Sequence, residues 1–241
     1  MCCSPLRCFL VPVPALALAA LAACAGSGTE PLDPTTSTWR ARGNEPGWLL
    51  ALDGDQMVLV TDYGAKRTST PRPAAQRTAT TTRYAARTES ADLTVTIFER
   101  VCRDTMTGMP HPSAVEVVLD GRELSGCGGE PGSLLQGWEW VVADIDGKGT
   151  VDRSRATVTF GSDGRVSGTG SCNRFTGAYQ LTGENLTIGE TAGTMMACAP
   201  ALMEQESRLL AILRDVRRFD VRDDGALVLL TDDRRTIVAR R

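Results

Sequence analysis

The stretch from Gly168 to Ala199 constrains the fold of this chain more than any other part of its sequence. It begins with a glycine-rich strand pattern that ends at Cys172, continues through short apolar runs separated by glycine turns, and ends with a methionine pair next to Cys198. Glycine inside a strand usually marks a bulge or the close approach of another backbone. The stretch therefore predicts short, tightly packed antiparallel strands held together by two cysteines.

The first 23 residues predict a targeting segment that is removed from the folded protein. Arg7 is the only charge before an alanine-rich apolar run that is too short to anchor in a bilayer as a helix. The run ends in LAAC, with its cysteine at position 24, and this resembles a bacterial lipobox. We therefore expect a lipoprotein signal peptide at residues 1–23 and lipid on Cys24. An ordinary signal peptide cleaved nearby is the alternative.

Residues 24–37 predict a flexible linker, because they are rich in Gly, Ser, Thr and Pro and contain few apolar side chains. More than one acyl chain on Cys24 would attach the protein stably to a membrane. The sequence accordingly predicts a protein held by its N-terminal lipid at the cell envelope, with the folded part outside the cytoplasm. The expected site is the periplasmic face of the outer membrane.

Four further cysteines follow the targeting segment and Cys24, at Cys102, Cys127, Cys172 and Cys198. An even number of cysteines in an exported chain indicates disulfides. Local pairing, Cys102 with Cys127 and Cys172 with Cys198, places one bridge in each half of the chain. Each bridge is worth about 3.5 kcal/mol in the chain-entropy model. A zinc site of four cysteines is the alternative, but no two of them have the C-x2-C spacing.

Length and patterning predict two small β-rich domains, at residues 38–133 and 137–241, since 241 residues exceed one typical domain. In the first domain, the Asp-Gly pairs that begin at Asp53 and Asp120 are strong hairpin signals between apolar runs. Residues 64–82 have no apolar period and predict a loop or mobile insertion.

In the second domain, short alternating runs predict a curved antiparallel sheet with one amphipathic helix. The helix is expected to begin after Pro200, with six apolar residues on one face: Leu202, Met203, Leu209, Leu210, Leu213 and Val216. A closing hairpin is expected to turn at Asp232. The predicted fold class is therefore α+β, mostly antiparallel β.

The second half of the chain is similar to the META domain, a family found in heat-shock-inducible bacterial envelope proteins. The resemblance rests on Trp138, on the turn TFGSDG, on the run GSCNRFTGAY around Asn173, and on TMMAC ending at Cys198. The first half resembles an uncharacterised module of envelope lipoproteins through GNEPGW, CRDTMTG and GCGG. The resemblance implies an exported, disulfide-bearing protein linked with stress tolerance, and it implies no particular reaction.

Few residues of this chain are suited to catalysis. The only histidine, His111, lies between two prolines and is expected in a surface loop, and no nucleophile motif surrounds a serine. The DIDG run at Asp144 faintly resembles a calcium loop, but Arg153 occupies the twelfth position, where a bidentate Glu is needed. We therefore interpret the run as a turn and expect no enzyme activity, no cofactor and no metal.

Asn173, Arg174 and Phe175 are the candidate binding residues, because a polar, cationic and aromatic cluster after a glycine strand can line a groove. The alternative is structural, with Asn in a turn, Phe in the core and Arg covering the sheet edge. Met195 and Met196 are expected to pack in the core.

The charge balance, 26 basic against 29 acidic residues, lacks the basic stripe that nucleic-acid binding requires. The sequence therefore predicts a lipid-anchored envelope protein that binds a partner protein or increases stress tolerance without catalysis. One alternative is an inhibitor or regulator of an envelope hydrolase, with residues 102–112 as its contact loop. A second is a carboxylate-dependent hydrolase, since the geometry of paired carboxylates is set in three dimensions.

Overall fold

The structure, a computed structural model, describes residues 39–241, so the predicted signal peptide, the linker and Cys24 lie outside the described residues. The described part of the chain belongs to one compact unit with two antiparallel β-sheets, a two-stranded ribbon and two short α-helices. The expectation of a mostly antiparallel β chain is confirmed. None of the helices in residues 39–241 has the length and apolar character needed to cross a bilayer.

The first half of the chain is built from short antiparallel strands. These are β1 (Trp39–Asn44), β2 (Gly47–Asp53), β3 (Gln56–Thr61), β4 (Lys66–Pro71), β5 (Gln76–Arg77), β6 (Thr81–Arg87), β7 (Asp92–Phe98), β8 (Cys102–Arg103), β9 (Pro110–His111), β10 (Ser113–Leu119) and β11 (Arg122–Gly128). Nine form a curled half-barrel in the order β4-β3-β2-β1-β11-β10-β7-β6-β5, and β8 pairs with β9 as a separate ribbon. Between β10 and β11, Asp120 and Gly121 have φ angles of 51° and 82°, as a two-residue hairpin turn requires.

The second half forms a nearly closed barrel with one helix against it. Its elements are α1 (Gly132–Leu135), β12 (Glu139–Ile145), β13 (Thr157–Phe160), β14 (Arg165–Thr169), β15 (Arg174–Leu181), β16 (Leu186–Gly193), α2 (Pro200–Asp215), β17 (Val216–Val221), β18 (Leu227–Thr231) and β19 (Thr236–Arg240). The strand order is β16-β15-β14-β13-β12-β19-β18-β17, and the edge strands β16 and β17 approach each other. α2 connects these two strands and buries Leu209, Ile212 and Leu213 in the barrel core.

Residues 64–82, for which the sequence predicts a loop, contain β4 and β5, so that prediction is wrong. β4 is an edge strand that pairs only with β3, and it ends at Pro71, which an edge tolerates. Its buried side chain is the polar Thr70. An edge strand whose inward residue is polar has no apolar period, and periodicity therefore does not reveal it.

The helices and the end of the chain also differ from the sequence expectation. The short helix α1 lies in the connection between the two sheets and buries Leu135, but four residues are too few to show a helical period. In α2, Met203 is exposed while Gln205 is buried, because three hydrogen bonds satisfy the Gln205 amide. The predicted closing hairpin is present as β18 and β19, and β17 adds a third strand beside it.

Each sheet has its own hydrophobic core. The half-barrel encloses Leu50, Met57 and neighbouring apolar side chains, and the barrel encloses Trp140 and its neighbours. Met109, from the first half of the chain, packs in the core of the second sheet. Because residues 39–241 belong to one compact unit, the division into domains at 38–133 and 137–241 stays a prediction.

The close backbone approach that the sequence predicts at Gly168 supports a stability test. A Cβ on Gly168 would lie 1.9 Å from the carbonyl oxygen of Thr157, so Gly168→Ala is expected to lower the free energy of unfolding by about 2 kcal/mol or more. Gly189→Ala is the matched control on β16, where the nearest atom would be 3.6 Å away. Urea unfolding of the oxidised protein measures both, and equal effects of the two substitutions would contradict the prediction.

Candidate functional site

The structure contains both predicted disulfides, Cys102–Cys127 and Cys172–Cys198, with Cα–Cα distances of 5.4 and 6.1 Å. The first joins the β8–β9 ribbon to β11 of the half-barrel. The second joins the segment between β14 and β15 to the loop before α2. Each half of the chain therefore has one covalent bridge. Each bridge lies beside a buried polar residue, His111 next to the first and Asn173 next to the second.

Asn173 is the polar centre beside the second disulfide, and only 8% of its surface is exposed. Its backbone N–H and its side-chain Nδ2 donate to the two carboxylate oxygens of Glu206 at 2.6 and 2.9 Å. Its Oδ1 accepts from the Met196 N–H at 2.7 Å and from the Thr194 hydroxyl at 2.8 Å. One asparagine thus connects the turn before β15, the loop before α2 and the helix itself.

The sequence interpretation did not single out Glu206, the partner of Asn173 on α2, or its neighbour Gln205. Glu206 fits against the turn because Gly170 has no side chain, since a Cβ there would lie 2.4 Å from the Glu206 Cγ. The neighbouring Gln205 accepts from the Val151 N–H at 2.6 Å and donates to the Ser171 hydroxyl at 2.8 Å. The glycines in this part of the sequence indicate a close approach, but they do not identify the residue that approaches.

The loop that we call the methionine loop, residues 194–199, runs along the outside of the barrel. Met195 is 97% exposed and Met196 is 57% exposed, so the expectation that they pack in the core is wrong. The physical reason is that Asn173 and the Cys172–Cys198 disulfide hold the backbone of this loop against the barrel exterior. The result is a pair of exposed apolar side chains on a fixed backbone.

The three candidate binding residues do not line one groove. Asn173 uses its polar atoms within the fold, Phe175 is buried in the barrel core, and Arg174 is exposed on β15. The arrangement agrees with the structural alternative for Asn173 and Phe175. The candidate surface beside them is the methionine loop, which Asn173 positions without itself facing a partner.

Residues 102–112 are the contact loop of the inhibitor hypothesis, and two of them, Arg103 and Met109, contact the second sheet. The Arg103 guanidinium donates to both carboxylate oxygens of Asp220 on β17 at 3.0 Å, and this hydrogen-bonded pairing raises the pKa of Arg103. Met109 is buried in the barrel core. Only the tip of the loop is prominent, where Met106 is 78% exposed.

A buried carboxylate determines the shape of that loop. Asp104 accepts hydrogen bonds from the N–H groups of Met106 and Thr107 at 2.9 Å each, and from the Asn44 side chain at 3.2 Å. Burial raises the pKa of the Asp104 carboxyl, but the hydrogen bonds outweigh that effect and hold the pKa below its ordinary value. Asp104 is therefore a structural carboxylate that fixes the turn.

His111 is buried, with 4% of its surface exposed, so the expectation of a surface-loop histidine is wrong. Its backbone pairs with Cys102 in the β8–β9 ribbon, and its Nδ1 lies 2.8 Å from the carbonyl oxygen of Gly129. Its side-chain partner Gly129 lies 18 residues later in the chain, so the local sequence does not reveal it.

The DIDG run forms a turn, as the sequence interpretation has it. Asp144 accepts hydrogen bonds from the N–H groups of Gly147 and Gly149 at 2.7 and 2.8 Å, so both carboxylate oxygens serve the backbone. Within residues 39–241, no three His, Cys, Asp or Glu side chains are grouped so that they could hold a metal ion.

The Asn173 centre supports a test of loop order. Asn173→Ala removes the acceptor for the Met196 N–H and one of the two donors to the Glu206 carboxylate, the side-chain Nδ2, while the backbone N–H of residue 173 remains. We therefore expect faster amide exchange in residues 194–199 and a loss of about 2 kcal/mol in the free energy of unfolding. Arg174→Ala, at the exposed neighbour, is the control and should change neither. Hydrogen exchange read by mass spectrometry gives the answer, and unchanged protection in Asn173→Ala would show that the disulfide alone fixes the loop.

Comparison with known proteins connects the second half to a family. Residues 133–241 match the family model of the META domain. The chain is 33% identical to heat shock protein HslJ of Escherichia coli (strain K12) over 89 residues, which cover 36% of this chain and 63% of HslJ, less than two thirds of that relative's length.

Two NMR structures, the first of a protein from Burkholderia xenovorans, are also similar to 45% of this chain. Their identities are 28% and 29%, they are covered over 84% and 92% of their lengths, and their TM-scores are 0.38 and 0.39. On the strength of the family model, the resemblance that the sequence motifs predict is confirmed for residues 133–241, which carry the META domain.

Proposed function

We propose that this chain is an exported, lipid-anchored protein of the bacterial cell envelope that binds a partner protein through the methionine loop and catalyses no reaction. The observation that carries the proposal is the 97% exposure of Met195 on a backbone fixed at the next residue by Asn173. Methionine adapts its unbranched thioether to irregular apolar pockets. A backbone that is already ordered loses little conformational freedom on binding, which favours affinity.

The surroundings of the loop support docking against a protein surface. Met203, in the first turns of α2, follows the loop in the chain and is also exposed. Glu204 on the same helix is exposed and makes only a long ion pair with Arg208, at 3.6 Å. An apolar centre with charged residues at its margin is the usual composition of a protein–protein interface.

The two disulfides and the lipobox support the proposed location. Disulfides persist in oxidising compartments outside the cytoplasm. The similarity of the second half to a heat shock protein supports a role under stress, in which the bound partner would be an envelope protein.

An inhibitor or regulator of an envelope hydrolase is the second candidate function, and the rigid methionine loop also favours it. Binding residues are found disproportionately on loops that a rigid scaffold positions, and a fixed loop of this kind can enter the cleft of an enzyme. For this role the methionine loop is better suited than residues 102–112, because Arg103 and Met109 of that loop are engaged with the second sheet.

In-cell crosslinking tests the docking role. A photoreactive amino acid at Met195 is expected to give one discrete crosslinked species in envelope fractions, because this side chain would enter the partner's pocket. The same photoreactive amino acid in place of Ser207, which is exposed on α2, is the matched control and should give no crosslinked species. Identical crosslinking patterns from both positions, or no adduct from Met195, would remove the basis for the proposal.

The lipid anchor is tested separately at Cys24. Labelling with radioactive palmitate should yield a labelled protein from the natural sequence and none from Cys24→Ala, because the acyl groups are attached to that cysteine. Cys24→Ala should also release the folded part from the membrane fraction, since stable anchoring needs more than one acyl chain and this variant would carry none. Persisting label in Cys24→Ala would contradict the lipoprotein prediction.

A further inference from the structure

Methionine is among the residue types most often buried in folded proteins, and this chain departs from that pattern. Of the six methionines in residues 39–241, only Met57 and Met109 are buried, with 0% and 3% of their surfaces exposed. The other four are exposed by 78%, 97%, 57% and 47%, at Met106, Met195, Met196 and Met203. The thioethers therefore fall into two classes, two inside the hydrophobic cores and four open to solvent.

No free thiol competes with these sulfur atoms in the part of the chain that the structure describes. Its four cysteines are joined in the Cys102–Cys127 and Cys172–Cys198 disulfides. A hydroperoxide oxidises protein sulfur, converting a thiol to a sulfenic acid or a methionine to its sulfoxide. Because the thiols are already oxidised, the exposed methionines are the groups with which such an oxidant reacts first.

Met195 is the most exposed of the four, and the structure around it keeps it so. Asn173 fixes both backbone groups of the next residue, Met196: its Oδ1 accepts from the N–H at 2.7 Å and its Nδ2 donates to the carbonyl at 3.3 Å. Two residues further on, Cys198 is bonded to Cys172. A loop held in this way keeps the Met195 sulfur accessible while its backbone stays ordered.

Oxidation at Met195 is compatible with the fold, because this side chain is not part of either hydrophobic core. The sulfoxide is polar, and a polar group inside a core costs free energy when it has no hydrogen-bond partner. That cost would apply to Met57 and Met109, whose burial shields them from the oxidant. The methionine loop can therefore be modified while the barrel stays folded.

We propose that Met195 is a site of reversible oxidation, and that its conversion to the sulfoxide by a hydroperoxide releases the bound partner. The thioether sulfur takes one oxygen atom from hydrogen peroxide and is oxidised by two electrons, while the O–O bond breaks and water is formed. A dithiol, acting through a methionine sulfoxide reductase, restores the thioether, becomes a disulfide and removes the oxygen as water.

Release rests on the docking function proposed above, whereas the oxidation site does not. Its physical reason is that an apolar pocket offers no hydrogen-bond donor to the sulfoxide oxygen. Losing the burial of one methionine side chain should weaken docking about tenfold.

Peptide mapping of the full chain tests the oxidation site without any partner. The purified chain, with both disulfides intact, is treated with hydrogen peroxide, and fragmentation in the mass spectrometer separates Met195 from Met196. Met195 should gain one oxygen atom completely while Met57 and Met109 remain unchanged, and the midpoint of urea unfolding should not move. Oxidation of Met195 no faster than of Met57, or a lower midpoint after it, would overturn the site.

Release is tested in cells by crosslinking from a neighbouring position. The photoreactive amino acid replaces Ala197, which is exposed in the same loop, so that Met195 stays in place, and hydrogen peroxide is added before illumination. Peroxide should lower the yield of the crosslinked species about tenfold in the chain with Met195. Met195→Leu, which keeps an apolar side chain but has no sulfur, is the matched control and should keep its yield.

Docking and release fail in different ways. If neither Ala197 nor Met195 gives a crosslinked species before peroxide is added, docking is removed and release with it, while the peptide map alone decides the oxidation site. A crosslinked species that peroxide does not diminish overturns release and leaves docking standing. An equal loss in Met195→Leu also overturns release, because peroxide then acts on the partner or on another methionine.

Discussion

The second half of the molecule depends on the hydrogen bonds between the Glu206 carboxylate and Asn173. The carboxylate receives two hydrogen bonds from Asn173, and through that residue it connects α2 with the turn before β15 and with the methionine loop. The barrel is not fully closed, since β16 and β17 lie at opposite ends of the strand order. α2 follows β16 and precedes β17, so fixing the start of this helix also fixes the direction in which the chain crosses the open side.

The space for this interaction is created by glycine. Gly170 leaves room for the aliphatic part of Glu206, and Gly168 allows β13 and β15 to lie on both sides of β14 without a side chain between them. Larger residues at either position would separate the strands from each other or from the helix. The polar centre at Asn173 and the packing of the barrel are therefore consequences of the same two small residues.

Local signals in the sequence predict much of this fold, and contacts between distant residues account for the rest. The hairpin at Asp120 and the helix after Pro200 depend on neighbouring residues, so turn chemistry and periodicity find them. The exposure of Met195 depends on a disulfide and on Asn173, and the burial of His111 depends on Gly129. From local sequence alone, a methionine pair beside a cysteine is expected in the core, and a histidine between prolines is expected in a loop. Local sequence does not show which distant residue is the partner in each case.

Each of the two disulfides lies beside a buried polar residue, His111 in the first half of the chain and Asn173 in the second. Cys102 pairs in the ribbon with His111, and Cys127 lies two residues before Gly129, so the first bridge closes a ring of contacts around the buried His111. The second bridge closes a similar ring around Asn173 and the methionine loop. In a reducing compartment the covalent bond of each ring would open, and hydrogen bonds alone would hold the two segments in place. Because disulfides persist in oxidising compartments, these two covalent bonds agree with the predicted location outside the cytoplasm, and the second of them ties that location to the order of the methionine loop.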